Sequence, residues 1–321
     1  MSAGTTPRVL ALSGGIGGAK LALGLYKTLA PHQLTVVANT ADDFVHLGLH
    51  VSPDIDTVTY TLAGINNPET GWGRAGESWH FMQALEGLGG ETWFSLGDKD
   101  LATNVERTRR LSVGESLTTV TARLAGALAI QARILPMSDQ RVSTVVETSD
   151  GPIPFQEYFV KQQCRPAVTG FRFDGAEHAQ PNADFLHCLA DPDLAAVIIC
   201  PSNPYISVDP ILSLPGIRQA LADCAAPVVA VSPIIGTDSI KGPTAKMMRE
   251  LGVESTAASV ASHYAGVIDG FVVDEQDDLR LLPNELTALS TPIMMRSLDD
   301  RLRLAQEVLQ FCEDIARCGT R

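Results

Sequence analysis

Positive charge is scarce in this sequence. Its 321 residues carry 24 Lys and Arg against 37 Asp and Glu, a formal net charge of −13. Proteins that wrap nucleic acid present a basic surface, so that class of partner is set aside. A small anionic ligand stays open, because a few local cations and backbone N–H groups can reverse the potential inside a cleft. Long apolar runs are missing as well. LAAVIIC (194–200) and PVVAVSPII (227–235) are strand-sized, far below the ~20 residues of a membrane-spanning helix, so no membrane partner is expected. The six cysteines, Cys164, Cys188, Cys200, Cys224, Cys312 and Cys318, form no C-x-x-C pair and have no histidines at zinc spacing. Cys200 sits in an apolar run and reads as a buried free thiol. The start, MSAGTTPRVLALSGG, has neither a basic n-region nor a long apolar h-region. A cytoplasmic protein with reduced thiols is therefore expected. Internal repeats and low-complexity tracts are absent.

What is present is the composition of an ordinary globular enzyme, 45% hydrophobic and 19% charged. RVLALSGG (8–15) reads as a buried strand entering a tight turn. AKLALGLYKTLA (19–30) has helical spacing, with Leu21, Leu25 and Leu29 four apart. LTVVANT (34–40) is a second strand. This order opens a doubly wound, mostly parallel α/β sheet of Rossmann-like type. DTVTYTLAG (56–64) can continue as a helix, INNPETGWGRAGES (65–78) is a loop, and SWHFMQALEGLG (78–89) is helical. TWFSLG (92–97) is expected to be a strand, and 104–135 mostly helix. Residues 136–185 change character, with short β-rich pieces around an S-D-G-P turn, and read as an inserted smaller α+β subdomain. The core is then 1–135 plus 186–321. AAVIICPSNP (195–204), PVVAVSPII (227–235) and GVIDGFVVD (266–274) add strands, and LDDRLRLAQEVLQFCEDIAR (298–317) is an amphipathic helix.

Two features carry chemistry. Gly14, Gly15, Gly17 and Gly18 lie between a strand and a helix, where free N–H groups and a positive dipole end can hold phosphate. Lys20 is followed by Leu21, which excludes a Walker loop, and it occupies the place of the third glycine of a dinucleotide fingerprint. A purely structural tight turn is the competing reading. Close behind come Asp42, Asp43, Asp54 and Asp56. Carboxylates this dense need solvent, a helix to cap, or a cation. Magnesium takes one or two carboxylates and completes its shell with water and substrate phosphate; capping a helix near Thr57 is the alternative. Further polar groups follow other expected strands. LGDKDLATN (96–104) brings Asp98, Lys99, Asp100 and Asn104. Arg107, Arg109 and Arg110 beyond it face either anions or solvent on a helix surface. CPSNPYISVDPIL (200–212) brings Ser202 and Asn203. The loop 236–246 brings Gly236, Lys241 and Lys246, a second phosphate-type sequence. His46, His50 and His80 lie near the acidic region without an assigned role.

The runs SGGIGGAK (13–20), NTADDFVHLGLHVSPDIDTVTYTLAG (39–64), NPETGWG (67–73), LGDKDLATN (96–104), PSNPYISVDPIL (201–212) and SPIIGTDSIKGPTAKMMREL (232–251) together resemble the CofD family, the 2-phospho-L-lactate transferases of coenzyme F-420 biosynthesis. The family pattern commonly has Arg where this chain has Lys99, which keeps the charge and loses the planar fork. The resemblance implies a Mg²⁺-assisted reaction. The ribityl hydroxyl of the deazaflavin Fo would attack a guanosine diphosphate-linked donor, take a phosphorylated three-carbon acid and release GMP. By the same resemblance, the 13–20 turn, the 201–207 loop and the 236–246 loop would hold the donor nucleotide. Asp54 and Lys99 would contact the deazaflavin, with Asp98 and Asn104 beside them. Asp43, Asp54 and Asp56 are the candidates for the metal, Asp43 and Asp54 also for orienting the hydroxyl, and a homodimer is expected. Two other readings compete: a non-catalytic nucleotide-sugar-binding regulator of the gluconeogenesis-factor type, and an NAD(P)-dependent oxidoreductase. NPETGWG and LGDKDLATN speak against the first. Lys20 and the missing ribose-binding acid speak against the second.

Overall fold

The structure, a computed structural model, describes residues 8–240 and 242–319. Seven strands form the main sheet: β1 (Arg8–Ser13), β2 (Leu34–Ala38), β3 (Arg133–Pro136), β4 (Leu194–Ile199), β5 (Val228–Val231), β6 (Gly270–Val273) and β7 (Thr287–Ser290). Their spatial order is β3-β2-β1-β4-β5-β6-β7, and every neighbouring pair is parallel. From β1 the chain steps outward through β2 to β3, then returns to β4 and steps outward the other way. The winding reverses between β1 and β4. In such sheets the crevice beyond the carboxyl ends of the strands at this reversal is where ligands bind.

The strands are apolar throughout because both faces are covered. Leu10, Leu12, Val37, Val197, Ile199 and Phe271 pack on one side with the helices Ala183–Leu189, Ile217–Ala222 and Ala257–His263. Val9, Ala11, Val36, Ile198, Val229 and Val272 pack on the other. That second face is closed by α1 (Gly15–Thr28), by α2 (Pro53–Leu62), and by the C-terminal helix Leu298–Cys318. Next in the chain after α2 come α3 (His80–Gly87), α4 (Asp98–Ser112) and α5 (Leu117–Ala127).

Several expectations change. The helix α1 begins at Gly15, so most of the glycine turn is its first turn and not a loop before it. Residues 44–51 form a hairpin of two short strands, Phe44–His46 and Leu49–Val51. TWFSLG is not a strand. Its Trp93 and Phe94 pack against Phe44 and His46 of that hairpin, Phe94 edge-on to both and Trp93 edge-on to His46, with Phe44 and Phe94 centroids 4.8 Å apart. LGDKDLATN therefore opens helix α4 instead of following a strand. Between β3 and β4, a separate three-stranded antiparallel sheet joins Gly151–Pro154, Ser143–Thr148 and Val168–Asp174, in that order.

Candidate functional site

The site is built where β1, β2 and β4 end. Gly15 adopts φ +63°, a left-handed conformation that glycine takes without the Cβ penalty. Gly17 answers a different need: a Cβ there would lie 2.3 Å from the Pro201 carbonyl oxygen, so only glycine lets α1 press on the loop after β4. Ser202 of that loop stitches the two together. It accepts from the Gly14 N–H at 3.1 Å and donates to the Gly14 carbonyl at 2.8 Å. The N–H of Gly15, the first residue of α1, donates to Asp54 Oδ1 at 2.7 Å. Asn39, at the end of β2, donates to Asp54 Oδ2 at 3.0 Å and to the Ile206 carbonyl at 3.2 Å. Asp54 thus belongs to the first turn of α2 and neutralises the start of α1. Burial pushes its carboxyl up to about 6, against the pull of the Gly15 N–H and Asn39.

Asp43 lies beside it. Ser52 Oγ donates to Asp43 Oδ2 at 2.6 Å, and His50 Nε2 is 3.1 Å from the same oxygen. Asp43 Oδ1 and Asp42 Oδ1 are both buried without a hydrogen-bond partner. Burial raises both carboxyls, and the charge of Asp54 raises Asp42 further. Among the described residues no group of three or more His, Cys, Asp or Glu is already arranged to hold a metal ion. The donor chemistry nonetheless fits magnesium: two unpartnered carboxylate oxygens in a field of like charge, near a turn able to accept phosphate. Asp56 is drawn elsewhere. It receives a short hydrogen bond from Arg107, whose guanidinium is fully buried and also donates to Asn104 Oδ1 at 2.7 Å. Arg107 is therefore an internal ion-pair partner and not part of a surface face, while Arg109 and Arg110 pair outward with Glu106.

A family model described as 2-phospho-L-lactate transferase CofD matches residues 9–303. The chain belongs to the CofD family. A phosphoenolpyruvate transferase of Streptomyces coelicolor is 40% identical over 317 residues, covering 96% of this chain and 99% of the relative. One of Mycobacterium tuberculosis is 38% identical over 313 residues, covering 90% and 93%. Two solved structures of a Bacillus halodurans protein, one described as a member of the UPF0052 family, share the fold with TM-scores of 0.66 and 0.61. They cover 95% of this chain at 16% and 15% identity. The chain is thus a CofD-family transferase on a mostly parallel α/β sheet.

In this CofD-family chain the remaining candidate residues separate into three groups. The first is Asp98, Lys99, Asp100 and Asn104 of α4; of these Asp100 lines a cavity of about 470 Å³, with Asn67, Trp72, Arg74 and Trp79 among its other walls. Trp72 and Trp79 are 50% and 44% exposed there, apolar surface held open beside a polar wall. Lys99 braces the rim, its Nζ donating to the Ala75 carbonyl at 3.2 Å. Asp100 accepts from Tyr60 at 2.7 Å. Asp98 has a local task, accepting from Ser78 Oγ at 2.6 Å and from the Phe81 N–H at 3.1 Å at the start of α3. Asn104 is buried and holds Arg107.

The second group shapes loops. Asn203 accepts from the Tyr205 N–H at 2.9 Å and so caps the turn Pro204–Val208. Gly236 turns the short hairpin Ile234–Ile235/Asp238–Ser239, its N–H donating to Asp277 at 2.9 Å. The third group is cationic. Lys20 Nζ donates to the Met295 carbonyl at 3.0 Å. Lys246 bonds Tyr158, the Pro166 carbonyl and Glu250, tying the helix Thr244–Glu250 to the antiparallel insert. Lys241 lies outside the described residues. Two contributors were not singled out from the sequence, Ser52 and Tyr60. The Ser-Pro pair two residues before Asp54 marks Ser52 as a helix-start residue, a sign that it sits beside the aspartates.

Proposed function

We propose that this enzyme transfers a phosphoenolpyruvyl group from a guanosine diphosphate-linked donor to the terminal ribityl hydroxyl of the deazaflavin Fo, releasing GMP, in coenzyme F-420 biosynthesis. The hydroxyl oxygen forms a bond to the phosphorus bearing the three-carbon acid. The bond from that phosphorus to the bridging oxygen breaks, GMP leaves with the electron pair, and the hydroxyl proton passes to a carboxylate. The observation that carries this reading is the contact between Asp54 and the Gly15 N–H at the sheet's reversal point. It brings a phosphate-type helix start and a buried carboxylate within one hydrogen bond of each other.

Each part of the chain has a task in this reading. The α1 start, through the N–H groups of Ile16 and Gly17, receives the donor diphosphate. Ser202 keeps that turn in place. The tryptophan-lined cavity takes the planar deazaflavin, and its volume suits a small molecule. Asp54, beside the donor turn, orients the attacking hydroxyl, since phosphoryl-type transfer is mostly positioning and charge neutralisation. Asp43 and Asp42, through their unpartnered Oδ1 atoms, would hold Mg²⁺, which when bound neutralises charge on the diphosphate, while both oxygens of Asp54 already accept hydrogen bonds. The names of the relatives favour the phosphoenolpyruvyl donor. The same reading takes the enzyme as a cytoplasmic homodimer; no helix among the described residues is long and apolar enough to cross a membrane. Mass spectrometry of the product made from Fo with phosphoenolpyruvyl, phospholactyl and phosphoglyceryl donors tests the assignment. The expected product carries the phosphoenolpyruvyl mass. No adduct from any donor would remove the transferase reading, and preference for another donor would remove only the choice of acid.

A further inference from the structure

His50 has a setting that the transfer chemistry alone does not require. It lies in the second strand of the 44–51 hairpin, and α4 grips its main chain on both sides. Its N–H donates to Thr108 Oγ1 at 2.7 Å, and its carbonyl accepts from Arg107 at 3.3 Å. These two anchors are themselves fixed. Thr108 donates to the Asn104 carbonyl at 2.7 Å, and Arg107 is held by Asn104 and Asp56. The backbone of His50 is thus located by a buried helix face.

The ring then points Nε2 at Asp43 Oδ2, 3.1 Å away. An ionised carboxylate only accepts, so Nε2 carries the proton in that pairing. Ser52 gives the same oxygen a second donor at 2.6 Å. The other oxygen, Oδ1, is buried and has none. Leaving a buried acceptor unpaired is costly, more so when it is charged. Two donors on one oxygen and none on its twin fix the carboxylate's rotation and direct Oδ1 to a ligand.

We infer that His50 is a positioning residue for Asp43: held by Thr108 and Arg107 of α4, it fixes the carboxylate so that Oδ1 serves the divalent cation. This rests on the role proposed above for Asp43. Partners of metal-binding groups at this remove typically change metal affinity or activity by about 10–100-fold when lost.

The test compares His50→Phe, which keeps a ring and loses the donor, with His50→Gln, whose amide N–H reaches a similar place. Two quantities are read in the full-length protein: Mn²⁺ affinity by electron paramagnetic resonance, and the split of kcat against donor KM as Mg²⁺ is titrated. His50→Phe is expected to weaken Mn²⁺ binding by about 10–100-fold and lower kcat at limiting Mg²⁺. His50→Gln is expected to recover most of both, with melting temperatures alike. Wild-type Mn²⁺ affinity in His50→Phe overturns the inference, as does equal impairment of the Phe and Gln variants, which is a packing effect. If the wild type makes no product from Fo, the transferase reading fails by itself. The Mn²⁺ comparison then still decides the role of His50.

Discussion

At the scale of single residues, the acidic cluster is held together against its own charge. Burial raises Asp42, Asp43 and Asp54, Asp54 to about 6, while the buried Arg107 beside Asp56 opposes the same effect there. The ordinary carboxylate value is about 4. Between these limits the folded chain keeps protons that the unfolded chain has already released. The contribution of these aspartates to the stability of the metal-free protein therefore falls as pH rises from about 4 to about 6, by a few kcal/mol in total. Melting curves in chelator at pH 5 and pH 8 check this, and the pH 5 sample is expected to melt several degrees higher. Glu106 and Asp278 are held down to about 2 by their arginines, so their contribution is lost only below this window. A flat profile, or a higher melting temperature at pH 8, would mean that the aspartates are not strained in the free protein. The sequence revealed the density of these carboxylates but not their division of labour. Asp56 and Asp54 are two apart in one helix and so face different ways. Only the partner each meets, Arg107 or Gly15, separates a structural ion pair from a site carboxylate.

At the scale of elements, the glycine run has packing and backbone tasks of its own. Gly17 exists for contact with Pro201, and Gly15 for its backbone angle. Gly17→Ala is expected to overpack that contact and cost about 1–3 kcal/mol. It should also raise donor KM, because the loop after β4 must move away from α1. Denaturant melts with donor titration check both effects, and a variant with native stability and KM would show that α1 and that loop are not packed as described. The buried strands β1, β2, β4 and β5 were legible because strands covered on both faces are apolar throughout. TWFSLG resembled them in composition and misled for that reason: its aromatic rings pack with Phe44 and His46 instead of entering the sheet. The edge strand β7 gave no apolar run, since it is only partly covered. Arg107 was hidden by its neighbours. Arg109 and Arg110 pair on the outside of the same helix, and nothing local marks the third arginine as the buried one.

At the scale of the molecule, two halves of a sheet wound in opposite directions leave a crevice at the reversal. The glycine turn and Ser202 come from the strands on either side of the reversal, and Asp43 and Asp54 follow β2. The tryptophan-lined cavity is framed by the 67–79 segment and the start of α4. The central claim is that donor cleavage occurs only by transfer to the acceptor, with Asp54 orienting the attacking hydroxyl. Its most direct test is GMP release from the phosphoenolpyruvyl guanosine donor in a single turnover, with and without Fo, by the wild type and by Asp54→Asn. The account predicts one GMP per deazaflavin adduct, no GMP without Fo, and release at least about 100-fold slower in a folded Asp54→Asn variant. GMP released at the same rate without Fo, or an Asp54→Asn variant as fast as the wild type, would contradict it.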